Sequence, residues 1–308
     1  MNQANLKIVI VGCNGQLAWE AAQRFQGLGE IVCVGRPELD LTNIDELREE
    51  IRRIKPSVLV NAAAYTAVDQ AESEPEAAIK INSEAPAAMA EEAKRLGALF
   101  TTYSTDYVFD GKKTAPYNEN DATGPLNVYG ASKLSGEKAV EAVGGSYLIF
   151  RTSWVYCARG KNFLRTILKL AAERPELKIV DDQVGAPTWS RDLADATRKI
   201  IEQLTAQASS AGISIGEALG GRRGIYHMTA AGSVSWCRFA AAILDEMKKR
   251  GLSKGNLASI VPIPTSEYPT PAARPQNSRL CNDKLKNTFG VALPPWRTSL
   301  TAVMDELG

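Results

Sequence analysis

The sequence has very little of what builds a metal or thiol centre. Histidine occurs once, at His227, and the five cysteines are scattered without a C-x-x-C pair. These counts argue against a histidine-based metal site and favour free thiols in a reducing compartment. His227 lies in an apolar run at residues 225–228, which is typical of a buried core or strand histidine.

Long apolar runs and an excess of one charge are also absent. No stretch of 18 apolar residues occurs, which argues against a membrane-spanning helix, and the first seven residues lack the pattern of a secretory signal. Lysine and arginine number 36 against 35 for aspartate and glutamate, so the net charge is +1. Without a basic field, neither nucleic acid nor an anionic membrane is expected as the main partner. We expect a cytoplasmic protein.

The sequence does have an ordinary globular composition, 44% apolar and 23% charged over 308 residues, and a regular alternation of strand and helix signals. Apolar runs predict strands at 6–11, 30–34, 57–61, 98–104 and 146–151. Helical spacing and stop signals predict helices at 16–28, 44–54, 76–96 and 128–143. This alternation predicts the α/β class with a Rossmann-type, doubly wound parallel sheet.

The pattern changes after Arg151. Helices are predicted at 163–173, 190–203 and 233–250, a Gly-rich surface loop at 207–223, and an extended segment at 260–277, which holds five prolines. We therefore predict an NADP(H)-binding Rossmann domain at 1–153, to which segments near 188–230 can return. A smaller, mainly substrate-binding domain is predicted at 154–308.

A glycine turn follows the first predicted strand. Gly12, Gly15 and Ala18 give G-x-x-G-x-x-A between a strand and a helix, a spacing that lets backbone N–H groups approach a pyrophosphate. After the second strand, Gly35 and Arg36 stand where an acid would bind a free ribose 2′-hydroxyl. A guanidinium can pair with a 2′-phosphate, so NADPH is favoured over NADH.

A tyrosine and a lysine stand four residues apart in the predicted helix 128–143. Tyr129 and Lys133 form Y-x-x-x-K, which places the ammonium beside the phenol on one helix face. A positive neighbour is expected to lower the pKa of the tyrosine, which suits a proton donor to a carbonyl. Thr105, at the end of the fourth strand, would add a hydroxyl at the carboxyl edge of the sheet, where ligands bind in such folds.

These three elements in this order resemble the short-chain dehydrogenase/reductase superfamily, extended type. Longer blocks narrow the resemblance to the dTDP-4-dehydrorhamnose reductase family and span essentially the whole chain. They are NAAAYTAVDQAE at 61–72, STDYVF at 104–109, PLNVYG at 125–130, FRTSWVY at 150–156, DQ-x-GAPT at 182–188 and YPTP at 268–271 with Arg274-Pro275. The resemblance implies NADPH-dependent reduction of dTDP-4-dehydro-L-rhamnose to dTDP-L-rhamnose, the last step of that biosynthesis.

The resemblance also implies residue roles. Tyr129 would donate the proton, Lys133 would bind the nicotinamide ribose, and Thr105 would assist at the substrate oxygen. The remaining cofactor contacts would be Gly12, Gly15, Gln16, Leu17, Arg36, Asp40, Leu41, Ala62, Ala63, Ala64, Tyr65 and Thr66. The sugar nucleotide would be bound by Val68, Asp106 and Trp154 in addition to Thr105.

Two other readings stay open on the sequence. One is another sugar-nucleotide epimerase or dehydratase of the same fold, since Asp106 stands beside the strand-end threonine where a dehydratase would typically have a glutamate. The other is a non-catalytic regulatory subunit, because some relatives regulate a partner enzyme. The intact Thr105, Tyr129 and Lys133 set argues against this second reading.

The resemblance bears on metal and assembly too. In some members of the family two subunits meet across a Mg²⁺ ion, held by acidic residues in the helix after the GAPT segment. Here Arg191 occupies the position of the expected bridging glutamate, and a guanidinium has no acceptor lone pair. Asp192 lies about 100° further around the helix and does not substitute for it. We expect a metal-independent enzyme that is a monomer or a weak dimer.

Overall fold

The computed structural model describes residues 6–252 and 257–307. The expectation that no secretory signal is present concerns residues 1–7, of which residues 1–5 lie outside this range. The described chain is built on a six-stranded, all-parallel sheet. Its strands are β1 (Lys7–Val11), β2 (Glu30–Val34), β3 (Val58–Asn61), β4 (Leu99–Thr105), β5 (Tyr147–Thr152) and β10 (Gly224–His227). They lie in the order β10-β5-β4-β3-β1-β2.

Short strands form three further pairs. The pairs are β6 (Val155–Tyr156) with β9 (Thr188–Trp189), β7 (Glu176–Val180) with β12 (Ser259–Ile263), and β8 (Val184–Gly185) with β11 (Val234–Ser235). Only the last of these pairs is antiparallel. The proline-rich segment 260–277 begins in β12, which includes Pro262 and pairs with β7. Its first residues are therefore extended, as its composition predicts.

Helices cover both faces of the large sheet. The helices of the first half are α1 (Gln16–Arg24), α2 (Ile44–Ile54), α3 (Val68–Ala71), α4 (Pro75–Ile79), α5 (Ala85–Leu96) and α6 (Val128–Val143). Those of the second half are α7 (Phe163–Glu173), α8 (Ser190–Ala211), α9 (Ile215–Leu219), α10 (Trp236–Lys249), α11 (Asp283–Phe289) and α12 (Trp296–Asp305). The predicted α/β class and doubly wound parallel sheet are confirmed.

Alternation along β1 explains why both faces need cover. Ile8 and Ile10 pack on one face with residues of α1 and α8, whereas Val9 and Val11 pack on the other with residues of α2 and α5. A separate apolar cluster is formed by α7, α10 and α12 around Phe239. Strand β10 and helix α8 pack with the large sheet although they come late in the chain. The division at residue 153 stays a prediction.

The local predictions fail where tertiary contacts decide. The predicted loop at 207–223 is wrong, because α8 runs on to Ala211 and α9 follows with a capping box at Ser214. The predicted helix 76–96 is interrupted by a π-helical turn, Lys80–Glu84. Helix α1 ends at Arg24 rather than at residue 28. His227 is fully buried in β10, as expected of a strand histidine.

Candidate active site

The glycine turn is as tight as its sequence predicts. Gly12 has φ +100° and donates its N–H to the Val34 carbonyl at 2.8 Å, and a Cβ at this position would lie 2.8 Å from the Cβ of Ala63. Only glycine fits such a backbone conformation and approach. Gly15 is the N-cap residue of α1, and no side chain caps this helix. The first N–H groups of α1 therefore suit a pyrophosphate.

The end of β3 lies beside this turn, at the point where the strand order reverses. Ala62 donates its N–H to the Val11 carbonyl at 3.0 Å, and Ala63 donates to the Asn61 side chain at 3.2 Å. Tyr65 donates to the Asn82 side chain at 2.9 Å. Asn82 comes from the π-helical turn, and sequence reasoning missed it because the surrounding alanines indicate only a helix. Such a reversal point is the usual ligand crevice of an open α/β sheet.

Other predicted cofactor residues differ in exposure. Ala64 is half-buried and Thr66 is exposed at the edge of the crevice, whereas the Leu17 side chain packs into the core and leaves only its backbone at the turn. The Gln16 side chain accepts a hydrogen bond from Asn162 at 2.8 Å. This contact links the start of α1 to the loop before α7.

Arg36, Asp40 and Leu41 follow β2. Arg36 is exposed, and its carbonyl accepts a hydrogen bond from the Asn14 side chain at 2.8 Å, so the glycine turn and the residue after Gly35 are joined. Asp40 accepts hydrogen bonds from Thr42, which lower the pKa of its carboxyl, and the charge of Arg36 contributes to the same shift. Leu41 is half-buried beside them.

Tyr129 and Lys133 lie on α6, whose first turn is capped by the Asn127 side chain. Lys133 is 4% exposed and donates to the Tyr103 carbonyl at 2.6 Å, while burial lowers the pKa of its ammonium to about 8 against the opposing effect of Glu137. Burial raises the pKa of the half-buried Tyr129 to about 12. The expected lowering of the tyrosine pKa is wrong here, but a phenol that keeps its proton is the form that a proton donor needs.

Close backbone contacts set the depth of α6. A Cβ at Gly130 would lie 2.3 Å from the Tyr107 carbonyl oxygen, and a Cβ at Gly136 would lie 2.0 Å from the Asn82 carbonyl oxygen. No other residue fits at either position without moving the helix. The two glycines therefore hold Tyr129 and Lys133 against the end of β4.

Thr105 and Asp106 stand at that strand end. Thr105 is 5% exposed, and its hydroxyl donates to Asp106 at 3.2 Å and accepts from the Tyr107 N–H at 3.2 Å. Its nearness to Tyr129 offsets part of the rise in the pKa of the phenol. Asp106 is 2% exposed, and burial raises the pKa of its carboxyl to about 7 against hydrogen bonds from Ser278 and Thr105. Its second carboxylate oxygen is buried without a partner among the described residues.

Trp154 and Val68 lie further along the same edge. Trp154 has φ +49°, a strained conformation for a large residue, and its ring stacks on Trp236 with centroids 3.5 Å apart. Gly185 leaves room for this indole, because a Cβ there would lie 2.5 Å from the ring. Val68 begins α3 and is half-buried. No sequence motif pointed to Trp236, because its contact with Trp154 joins two elements that are distant in the chain.

The acidic residues implied for a Mg²⁺ bridge are not arranged to bind one. Arg191 donates to the buried Glu20 at 2.9 Å, also pairs with Glu306, and stacks on Trp189. Asp192 accepts a hydrogen bond from Ser299 at 2.5 Å. Within residues 6–252 and 257–307, no group of three or more histidine, cysteine or acidic residues has a metal-binding arrangement. The residues at this position do not fit the divalent ion of the family.

Known proteins resemble this chain over nearly its whole length. The family model of the RmlD substrate binding domain matches residues 6–308. A dTDP-4-dehydrorhamnose reductase of Burkholderia thailandensis is 49% identical, and the match covers 98% of this chain and 99% of that protein. The chain belongs to the dTDP-4-dehydrorhamnose reductase family. The Escherichia coli K12 member is 41% identical, with 98% of both chains covered.

Solved structures of the family share the fold. A reductase of Clostridium acetobutylicum is 37% identical with a TM-score of 0.87, covering 98% of this chain and 99% of that one. A reductase of Bacillus anthracis, solved in complex with NADP, is 33% identical with a TM-score of 0.85 and the same coverage.

The raised pKa of Asp106 predicts how the stability of the protein changes with pH. Because the folded-state pKa of about 7 lies above the usual value of 3.8, the folded protein binds more protons between these values, and stability falls as pH rises through this window. Asp106→Asn removes this dependence, so the melting temperature of the variant relative to wild type should be higher at pH 8 than at pH 5. Thermal unfolding followed by circular dichroism measures the difference, with the exposed Asp245→Asn as control. Equal differences at both pH values would contradict this assignment.

The pairing of Arg191 predicts that chelation has no effect. With the guanidinium of Arg191 paired to Glu20 and Glu306, this position presents a fixed positive charge to a divalent ion instead of a carboxylate ligand. Light scattering should give the same mass, and the reductase assay the same rate, before and after EDTA. A Mg²⁺-dependent dimer that dissociates on chelation would be the contrary result.

Proposed function

We propose that this chain reduces dTDP-4-dehydro-L-rhamnose to dTDP-L-rhamnose with NADPH, with NADH as an alternative donor. The observation that carries the proposal is the convergence of Thr105, Tyr129 and Lys133 at the carboxyl edge of the sheet, next to the glycine turn. The curated relatives named for this reaction align over nearly the whole chain.

The cofactor site fits a dinucleotide. Gly12 permits close approach at the turn, the amides of α1 face the same place, and Arg36 stands exposed at the end of β2. When bound, the nicotinamide supplies the hydride. The protein's part is to hold the two phosphates at α1 and a 2′-phosphate at Arg36.

The protonation states of the site support reduction. Burial raises the pKa of Tyr129 to about 12, so the phenol keeps a proton that it can give to the sugar oxygen, and Thr105 lies beside it. Lys133 is charged below about pH 8 and stabilises the phenolate that remains. Val68, Asp106 and Trp154 would bind the sugar nucleotide at the same edge. The complete proton-donor set makes a purely regulatory role less apt than catalysis.

The proposal also includes the domain organisation, the oligomeric state and the localisation of the protein. Residues 1–153 form the NADP(H)-binding part and 154–308 mainly the substrate-binding part, with α8 and β10 packed back on the large sheet. The protein acts as a monomer or weak dimer in the cytoplasm. Over the residues that the structure describes, no helix is both long and apolar enough to cross a membrane.

Removal of the Tyr129 hydroxyl tests the chemistry. Tyr129→Phe should keep the fold and NADPH binding but lower turnover by about 10²–10⁴-fold, because general acid catalysis contributes that much. The assay follows NADPH oxidation by absorbance with and without the keto-sugar nucleotide. Tyr147→Phe, at the start of β5, is the matched control and should retain the wild-type rate. A Tyr129→Phe rate within about threefold of wild type is incompatible with this mechanism.

Removal of the Arg36 charge tests cofactor choice. Arg36→Ala should raise the apparent KM for NADPH and leave that for NADH nearly unchanged, since only NADPH carries the 2′-phosphate. Steady-state kinetics with each cofactor measure the split, and Arg223→Ala, another exposed arginine, is the control. Equal losses with both cofactors would assign Arg36 a structural role.

A further inference from the structure

A buried ion pair, formed by Glu137 and Arg151, lies one helical turn along α6 from the candidate catalytic lysine, Lys133. Tyr129, Lys133 and Glu137 follow one another at four-residue intervals on α6, so they form a single row along one helix face. Glu137 accepts two hydrogen bonds from the Arg151 guanidinium, at 2.9 Å and 2.6 Å. Lys133, Glu137 and Arg151 are each at most 4% exposed.

The position of Arg151 connects this pair to the strand ends. Arg151 is on β5 and is in register with Ser104, one residue before Thr105 on β4. Its guanidinium also lies over the ring of Phe109 at 5.0 Å. One of its terminal nitrogens is buried without a hydrogen-bond partner among the described residues. The arginine is therefore held in place by the glutamate and the aromatic ring together.

Charge balance determines what this arrangement does. Lys133 donates to a neutral carbonyl, that of Tyr103, which orients the ammonium but supplies no opposite charge. The carboxylate of Glu137 supplies it from one helical turn away. We propose that Glu137 is a positioning residue that keeps buried Lys133 in its charged form, and that Arg151 holds the Glu137 carboxylate in one position while offsetting part of its negative charge. This inference rests on the proposed function, because it concerns the lysine of the same site.

Substitution of Glu137 has a definite consequence for Lys133. Without the carboxylate, two cations would share one buried region, and burial of unpaired charge is strongly unfavourable. Arginine does not release its proton in proteins, so Lys133 is the group that becomes neutral. Removal of Arg151 should instead raise the pKa of Lys133, because the Glu137 carboxylate would then have Lys133 as its nearest remaining cation on this helix face.

The other titratable groups around the row do not mask this effect. His227 on β10 is neutral, because burial and the charge of Arg151 lower its pKa to about 3, and burial raises the pKa of Tyr103 on β4. Tyr129 titrates near 12, and Asp106, beyond Tyr129, titrates near 7. We therefore expect the alkaline limb of the activity profile to follow Lys133, and the variants below test this assignment.

The test is the pH profile of kcat/KM for the reduction between pH 6 and 10. Glu137→Gln should move the alkaline limb to lower pH by about one unit, and Arg151→Met should move it to higher pH by about the same amount. The two opposite shifts distinguish an electrostatic role from damage to the fold, which would lower activity at every pH. Glu141→Gln, on the exposed side of the same helix, is the matched control and should leave the profile unchanged.

The pH dependence of NADPH binding, measured by fluorescence without substrate, provides a second readout of the same charge. NADPH binding should weaken at a lower pH in Glu137→Gln than in wild type. If one of the two variants does not fold, the other still tests the inference. Profiles of a folded variant that coincide with wild type, or that shift in the wrong direction, overturn the inference. A wild-type protein that binds NADPH with this pH dependence but does not reduce the keto-sugar would instead overturn the proposed function.

Discussion

The closeness of helix α6 to the turns beneath it is the constraint on which the site depends. Gly130 lies against the carbonyl of Tyr107 and Gly136 against that of Asn82, at distances that leave no room for a side chain. Because the two contacts are more than one helical turn apart, they fix the tilt of α6 as well as its depth. Along the helix, Tyr129 is next to the contact at Gly130, and Lys133 lies between the two contacts. Their position at the end of β4 is therefore set by backbone packing and not by the hydrogen bonds that they make.

The close packing of α6 has an electrostatic consequence. A helix pressed this closely onto the sheet removes water from the ammonium of Lys133 and the carboxylate of Glu137, so each charge requires a partner. The protein supplies an alternating series, in which the phenol of Tyr129 is neutral, Lys133 is positive, Glu137 is negative and Arg151 is positive. Transfer of a proton from Tyr129 to a substrate would change the net charge of the series from +1 to 0. The buried site is thus less charged after the proton transfer than before it.

The sequence predicted the fold class, the central strands and the site motifs, because these depend on local patterns. The apolar run of β1, the Gly12 turn and the Tyr129–Lys133 spacing each have a direct structural meaning within a few residues. What it missed depends on contacts between distant segments. The stacking of Trp236 on Trp154 and the π-helical turn that presents Asn82 have no local signal. The packing of α8 against the large sheet, by contrast, agrees with the expected return of segments near 188–230. The pKa of Tyr129 was predicted in the wrong direction because spacing does not reveal burial.

Arginine is used in the same way at a second place in the molecule. Glu20 on α1 is 1% exposed and is paired with Arg191 of α8, just as Glu137 on α6 is paired with Arg151 of β5. In both cases a permanently charged guanidinium joins a helix to another element and satisfies a buried carboxylate that would otherwise be costly. The guanidinium that pairs with Glu20 comes from Arg191, the position that the family resemblance assigns to a metal-binding carboxylate. The Arg191 guanidinium is thus the cation that balances the buried Glu20 carboxylate where α1 packs against α8.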